Sequence, residues 1–192
     1  MANEIERRER VVDDPEVAEY VARIAQKLVK ACGEGAVTVR VLQSEAVNGS
    51  VVPGGFVFVN TGLLRALESE AELAGVLAHL MTRKAVSTDN GQAVPLVFSE
   101  GDALRSPEGV LQAAVNAADE RAMQCMDHAG YDPVGMIELL RRLPAVSVER
   151  MEGVAEVIQE LEPSSAFLMH TREFFEVRQH LAASQRTPAV RN

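Results

Sequence analysis

Apolar residues recur at helical spacing along most of the chain. Behind Asp14-Pro15, an N-cap followed by proline at the first helical position, one apolar face carries Val17, Tyr20, Val21, Ile24, Leu28 and Val29. Gly33 and Gly35 should end this helix. The same patterns and capping signals predict further helices over 61–67, from Ser69 through His79, from Ser106-Pro107 to about His128, after Asp132-Pro133, over 151–161 and over 173–183.

A second, shorter pattern predicts strands. Val37, Val39 and Val41 alternate with other residues, as in a half-buried strand. The segment 56–59 reads as another strand, after a turn at Pro53-Gly54-Gly55. We therefore expect an α+β domain, mainly helical, with a small antiparallel sheet. One domain should span residues 1–192, with an N-terminal extension over 1–12 and a mobile tail over 185–192.

Composition and charge narrow the choice of partners. The net charge is −9 and the pI is about 5.0, which argues against nucleic acid or an anionic membrane as the main partner. No apolar run approaches the roughly 20 residues of a membrane span, and polar residues follow Met1 at once, so we expect no signal peptide in this chain. Cys32 and Cys125 fall in helical patterns, and we expect two buried thiols rather than a disulfide.

The candidate chemistry is concentrated in His79-Leu80-Met81-Thr82-Arg83. This segment occupies the place of an H-E-x-x-H motif, in which two histidines on one helical face bind zinc and the glutamate activates its water. Leu80 stands at the glutamate position and Arg83 at the second histidine position. The motif therefore retains one of its three functional groups.

Several blocks in the same order resemble the zinc metallopeptidases of the HtpX and CAAX prenyl protease type, above all the soluble bacterial members exported to the periplasm. These blocks are Asp13-Asp14-Pro15 with Tyr20, Asn48 with Pro53-Gly54-Gly55, 60–64, 72–74, Ala118-Asp119 and 129–133. The resemblance covers residues from Asp13 to about Leu181. It implies a zincin-like, gluzincin-type fold, zinc as the cofactor of the family and an exported location.

The resemblance also assigns roles to individual positions. His79 matches the first zinc ligand, Arg83 the second and Val115 the third, where the family has a glutamate. Asp119 matches the aspartate that supports a zinc-binding imidazole. Near the C-terminus, Arg172 matches a histidine that assists at the site. A catalytic zinc needs three protein ligands, so we expect no zinc, apart from weak residual binding at His79, and a peptidase relative without catalysis.

Three alternatives follow from the same residues. His79 is either a remaining ligand or a buried histidine bonded to Asp119, which we favour. An active zinc metalloendopeptidase would need a rebuilt site, with ligands such as His170 or Asp119. An anion- or carboxylate-binding module would need Arg83 and Arg172 to converge on one pocket; the simpler expectation is that each pairs with a nearby acid such as Asp119 or Glu120.

Peptide binding is a function that such a domain can keep without zinc; the equally open alternative is that the strand over 56–59 is only part of the core. In zincins an edge strand beside the active-site helix pairs with an extended peptide. The resemblance assigns this role to the strand and the turn before it, so the predicted partner is an extended peptide or unfolded protein segment at Asn48, Pro53, Gly54, Gly55, Phe56, Val57 and Phe58.

Overall fold

The computed structural model describes residues 2–33, 35–83, 94–95, 110–142, 146–161 and 166–184. The helices in these ranges are α1 (Ala2–Arg8), α2 (Pro15–Cys32), α3 (Thr61–Ala66), α4 (Glu70–Arg83), α5 (Val110–His128), α6 (Val134–Arg142), α7 (Val148–Glu160) and α8 (Arg172–Ser184). The strands are β1 (Thr38–Leu42), β2 (Gly49–Val52), β3 (Phe56–Asn60) and β4 (Val94–Pro95). This is the mainly helical α+β arrangement that the sequence predicts.

Capping side chains fix several of the predicted helix ends. The carboxylate of Asp14 accepts hydrogen bonds from the backbone N–H groups of Glu16 and Val17, and Gly33 ends α2 in the left-handed conformation with φ of 66°. At α4, the backbone N–H of Glu72 donates to Oγ of Ser69 over 3.1 Å. The predicted start of a helix at Ser106-Pro107 and the predicted mobile tail over 185–192 lie outside the described residues.

The sheet differs from the expected one. Its described strands have the order β1-β3-β2-β4. β2 and β3 form an antiparallel hairpin around the predicted turn, in which Gly54 and Gly55 have positive φ. β1, however, pairs with β3 in parallel. The prediction of an antiparallel sheet is therefore wrong, because β2 was not recognised from its four residues and it is β2 that reverses the chain before β3.

The predicted N-terminal extension is structured from residue 2 onward. Ala2 and Ile5 on α1 pack against Leu42, Val52 and Phe58 on the outer face of the sheet. The backbone N–H of Val12 donates to the carbonyl oxygen of Val41 over 2.8 Å. Residues 10–12 therefore cover part of the free edge of β1.

Helix α4 is the centre of the molecule. All of its residues are buried, and it contacts α2, α5, α6 and the strands β2 and β3. Such a helix is covered on every side, so its polar residues Glu70, Glu72, His79 and Arg83 must find partners inside the protein. No helix among the described residues is long and apolar enough to cross a bilayer.

The two cysteines are joined in the structure. Cys32, at the end of α2, and Cys125, on α5, form a disulfide with a Cα–Cα distance of 5.2 Å, which is within the range that a disulfide can span. The prediction of two buried thiols is therefore wrong. The pattern of the sequence placed both residues in helices but did not show that the end of α2 meets the last turn of α5.

Candidate functional site

His79 lies in the second half of α4 and is completely buried. Its Nδ1 lies 2.7 Å from Oδ1 of Asp119, which α5 brings against the same side of α4. This is the contact that the favoured interpretation of His79 expects. Burial lowers the pKa of His79, and the negative charge of Asp119 only partly opposes this effect. The imidazole is therefore neutral near pH 7, with its Nδ1 facing the carboxylate.

Arg150 is the site residue that the sequence analysis missed. It lies on α7, it is 5% exposed, and its Nε and Nη2 are 2.6 and 2.9 Å from Oδ2 and Oδ1 of Asp119. A signal for it exists, because Arg150 precedes Val154 by one helical turn on the apolar face of α7. A cation on such a face needs a buried acid, and the sequence alone does not say which acid is near.

Both oxygen atoms of the Asp119 carboxylate consequently have partners. Its Oδ1 faces His79 and accepts from Arg150, and its Oδ2 accepts from Arg150. Burial acts to raise the pKa of Asp119, but the interactions with His79 and Arg150 outweigh burial and hold the pKa below its usual range. The carboxylate is ionised at neutral pH and balances one of the cations around it.

Arg83 is the second cation. Its side chain is only 2% exposed, and its Nε and Nη1 are buried without a hydrogen-bond partner. In the described part of the chain no ion pair joins Arg83 to Asp119 or Glu120, the two acids that the sequence suggests as examples. Burial and then the charge of Arg150 lower the pKa of Arg83, against the pull of Asp119. The cluster of His79, Arg83, Asp119 and Arg150 therefore has one more positive than negative charge.

This imbalance is energetically expensive. A buried ion without a partner costs several kcal/mol even after relaxation. Arg83 ends α4, where the helix dipole favours a cation by at most about 2 kcal/mol. The dipole therefore offsets only part of the cost.

The remaining positions of the zinc motif present no donor. Leu80 is fully buried and Val115 is 2% exposed. Leu80 packs under β2, since a Cβ added to Gly49 would lie 3.1 Å from its Cδ1. One imidazole, two aliphatic side chains and two guanidinium groups do not fit a catalytic zinc. In the part of the chain that the structure describes, no three His, Cys, Asp or Glu side chains are grouped to hold a metal.

The two C-terminal candidates lie elsewhere. The Arg172 side chain is 91% exposed and its Nε pairs with Glu176 over 2.7 Å on its own helix. It does not converge with the buried Arg83, so the prediction of a shared pocket is wrong. His170 is also exposed and stacks against Phe175. Neither residue is brought to the His79 cluster, because Thr171 between them is tied to Glu70 at the opposite end of α4.

The predicted peptide strand is not an edge strand. β3 is paired on one side with β1 and on the other with β2, and β4 pairs with β2 at Ser50 and Val51. The prediction that residues 56–59 form an edge is therefore wrong, and a peptide cannot pair with β3 unless a neighbouring strand leaves. Asn48 and the turn residues 53–55 flank this hairpin; their role in peptide binding stays a prediction.

A comparison with models of protein families gives a match over part of the chain. Residues 13–82 match the sequence model of peptidase family M48, a segment that runs from the cap of α2 to the residue before Arg83. A comparison with curated proteins found no match. The matched segment contains His79 and Leu80, whereas Arg83, Val115, Asp119 and Arg150 lie outside it. Over α2 to α4 the chain is thus similar to the M48 metallopeptidases, whereas the HtpX and CAAX prenyl protease type stays a prediction.

Proposed function

We propose that this protein is an M48-type metallopeptidase homologue that does not catalyse hydrolysis, and that it serves as a binding or regulatory module. The observation that carries the proposal is the pair between Arg150 and Asp119. A second guanidinium, that of Arg83, is buried nearby. Two fixed positive charges around His79 oppose a divalent cation electrostatically. The general-base position holds Leu80, which can neither accept nor donate a proton.

Metal analysis tests this proposal directly. We expect purified protein, dialysed against excess zinc and then against buffer, to hold much less than one zinc per chain, and we expect no cleavage of unfolded casein. His79→Ala is the matched variant, because it removes the one retained ligand. One zinc per chain that is lost in His79→Ala, together with chelator-sensitive cleavage, would overturn the proposal and support an active enzyme with a rebuilt site.

The partner in this proposal is an extended peptide or unfolded protein segment. The hairpin of β2 and β3, with Asn48 and the turn 53–55, is the surface that the resemblance assigns to it. Residues 11–12 and β4 already pair with parts of the two outer strands, so a peptide has little free backbone to join. Calorimetric titration with reduced, unfolded casein measures binding. If no saturable heat of binding is found, the proposal of this partner is contradicted.

The disulfide gives information about the cellular compartment of the protein. Disulfides persist in oxidising compartments and are rare in a reducing cytosol, so the pairing of Cys32 with Cys125 supports the exported location that the resemblance implies. Thiol titration of the denatured protein, isolated without reductant, should find no free thiol. Two free thiols in protein from its native compartment would contradict this location.

A further inference from the structure

Arg83 has the features of a ligand anchor rather than of a structural ion pair. Its guanidinium is buried, its Nε and Nη1 make no hydrogen bond, and the Asp119 carboxylate of the same cluster already faces His79 and accepts two hydrogen bonds from Arg150. Native proteins very rarely leave buried donors unpaired. The missing partner must therefore be an acceptor, and an anionic one balances the excess charge of the cluster.

We propose that Arg83 anchors an internal carboxylate-binding site, at the position that the resemblance gives to the second zinc histidine. The inference rests on the proposed function, because it requires that the position of the second zinc histidine holds no metal. A guanidinium is the side chain best suited to a planar carboxylate, which it meets with fixed N–H donors.

Two cavities lie beside the helices that carry the cluster, and Arg83 itself lines neither of them. One, of about 500 Å³ between α5 and α7, is lined by Asp119 and Arg150 but also by the acids Glu120, Glu156 and Glu160. The other, of about 570 Å³ between α2 and α5, includes Thr82, the residue before Arg83. Its lining contains Lys30, Arg121 and His128 and no carboxylate. In a chain of net charge −9, this second cavity is the one that attracts an anion.

The charges around Arg83 also limit the net charge that the ligand can carry. The described cluster has an excess of one positive charge, and acids line the cavity on its far side. A monocarboxylate matches this balance, whereas a polyanion such as a nucleotide would be repelled by the acids. The carboxylate can belong to a small free molecule or to the C-terminus of a peptide.

Thermal-shift and calorimetric titrations distinguish these sources. The probes are acetate, a short peptide with a free C-terminal carboxylate and the same peptide as C-terminal amide, with sodium chloride at equal ionic strength as the reference. We expect saturable stabilisation by acetate or by the free-acid peptide, and none by the amide beyond the chloride reference. A peptide acid that binds more tightly than acetate identifies the peptide C-terminus as the ligand.

Variants assign the binding to Arg83. Arg83→Met should weaken binding roughly 10- to 100-fold, the strength of a hydrogen bond to a charged group, and Arg83→Lys should weaken it less. Arg172→Met is the matched control, because it removes an exposed cation and should bind as the wild type does. If Arg83→Met does not fold, Arg83→Lys and the NMR shift of the Arg83 Nε–H in titrated wild-type protein report the same contact.

The proposal is overturned if the wild type shows no saturable response to either carboxylate, or if Arg83→Met binds as tightly as the wild type. The zinc content of the same samples separates the two proposals. Zinc-free protein without carboxylate binding contradicts only the anion site, whereas stoichiometric zinc contradicts the proposed function as well.

Discussion

The two ends of α4 both bury charged side chains, but the partners of these side chains differ. At the N-terminal end, Glu70 accepts hydrogen bonds from the hydroxyl groups of Tyr20 and Thr171. Glu72 accepts from the backbone N–H of Glu68 and pairs with Arg142. At the C-terminal end, one carboxylate, Asp119, faces a histidine and a guanidinium while a second guanidinium, that of Arg83, is left over.

The difference separates a structural polar cluster from a candidate site. Carboxylates near a helix N-terminus are favoured by the dipole, and those of Glu70 and Glu72 meet ordinary donors that join α4 to α2, α6 and the segment before α8. Burial and the charge of Glu70 raise the pKa of Tyr20 and Tyr131, so both hydroxyl groups remain protonated donors. Glu72 leaves its Oε1 unpaired, but both carboxylates have partners through Oε2. At the C-terminal end, Nε and Nη1 of Arg83 both lack a partner, and this is the reason to look for a ligand there.

The largest expected loss of stability comes from removing the carboxylate of Asp119, beside the C-terminal end of α4. Asp119→Ala should lower the free energy of unfolding by about 3–5 kcal/mol, because it leaves Arg150 buried without its partner beside Arg83. Urea unfolding measures the change. Glu176→Gln, which breaks an exposed pair with Arg172, is the control and should cost less than about 1 kcal/mol. A loss of less than about 1 kcal/mol in Asp119→Ala would show that the cluster is not ion-paired as described.

A smaller effect is expected at the other end of the helix. Glu70→Gln keeps the size of the side chain and an acceptor oxygen for Tyr20, so it should cost about 1–2 kcal/mol in the same urea assay. The comparison predicts that this loss is clearly smaller than that of Asp119→Ala. Equal losses would mean that the N-terminal cluster also depends on charge and that the contrast between the two ends is wrong.

A third effect is the dependence of stability on pH, and it arises from His79. Burial lowers its pKa in the folded protein, so below the unfolded value of about 6.5 the unfolded chain binds a proton that the native protein does not. Stability should fall as the pH drops from 7.5 towards 5, by at most about 1.4 kcal/mol per pH unit from this group. His79→Gln should reduce this slope while Glu70→Gln should not. An unchanged slope in His79→Gln would show that His79 is not held neutral.

Much of the helical framework could be predicted from the sequence because its signals are local. Asp14 with Pro15, the Ser69 cap and the apolar spacing of α2 act within one or two helical turns, and the structure places those helices where the pattern does. The pairing of the strands could not be predicted from such local signals. β2 has four residues, and the parallel pairing of β1 with β3 depends on which strands meet after the chain reverses at 53–55.

The chemistry of the site divides in the same way. The sequence by itself determined that the positions of His79, Leu80 and Arg83 cannot complete a zinc motif, because the identity of a side chain fixes whether it can donate to a metal. The contact of His79 with Asp119 was also expected. Only the tertiary structure decided that Arg150 on α7 takes the other side of Asp119, that Arg172 points to solvent, and that Arg83 is buried with its Nε and Nη1 unpaired. Those facts depend on how separate helices pack around α4, and the spacing of residues within one helix cannot supply them.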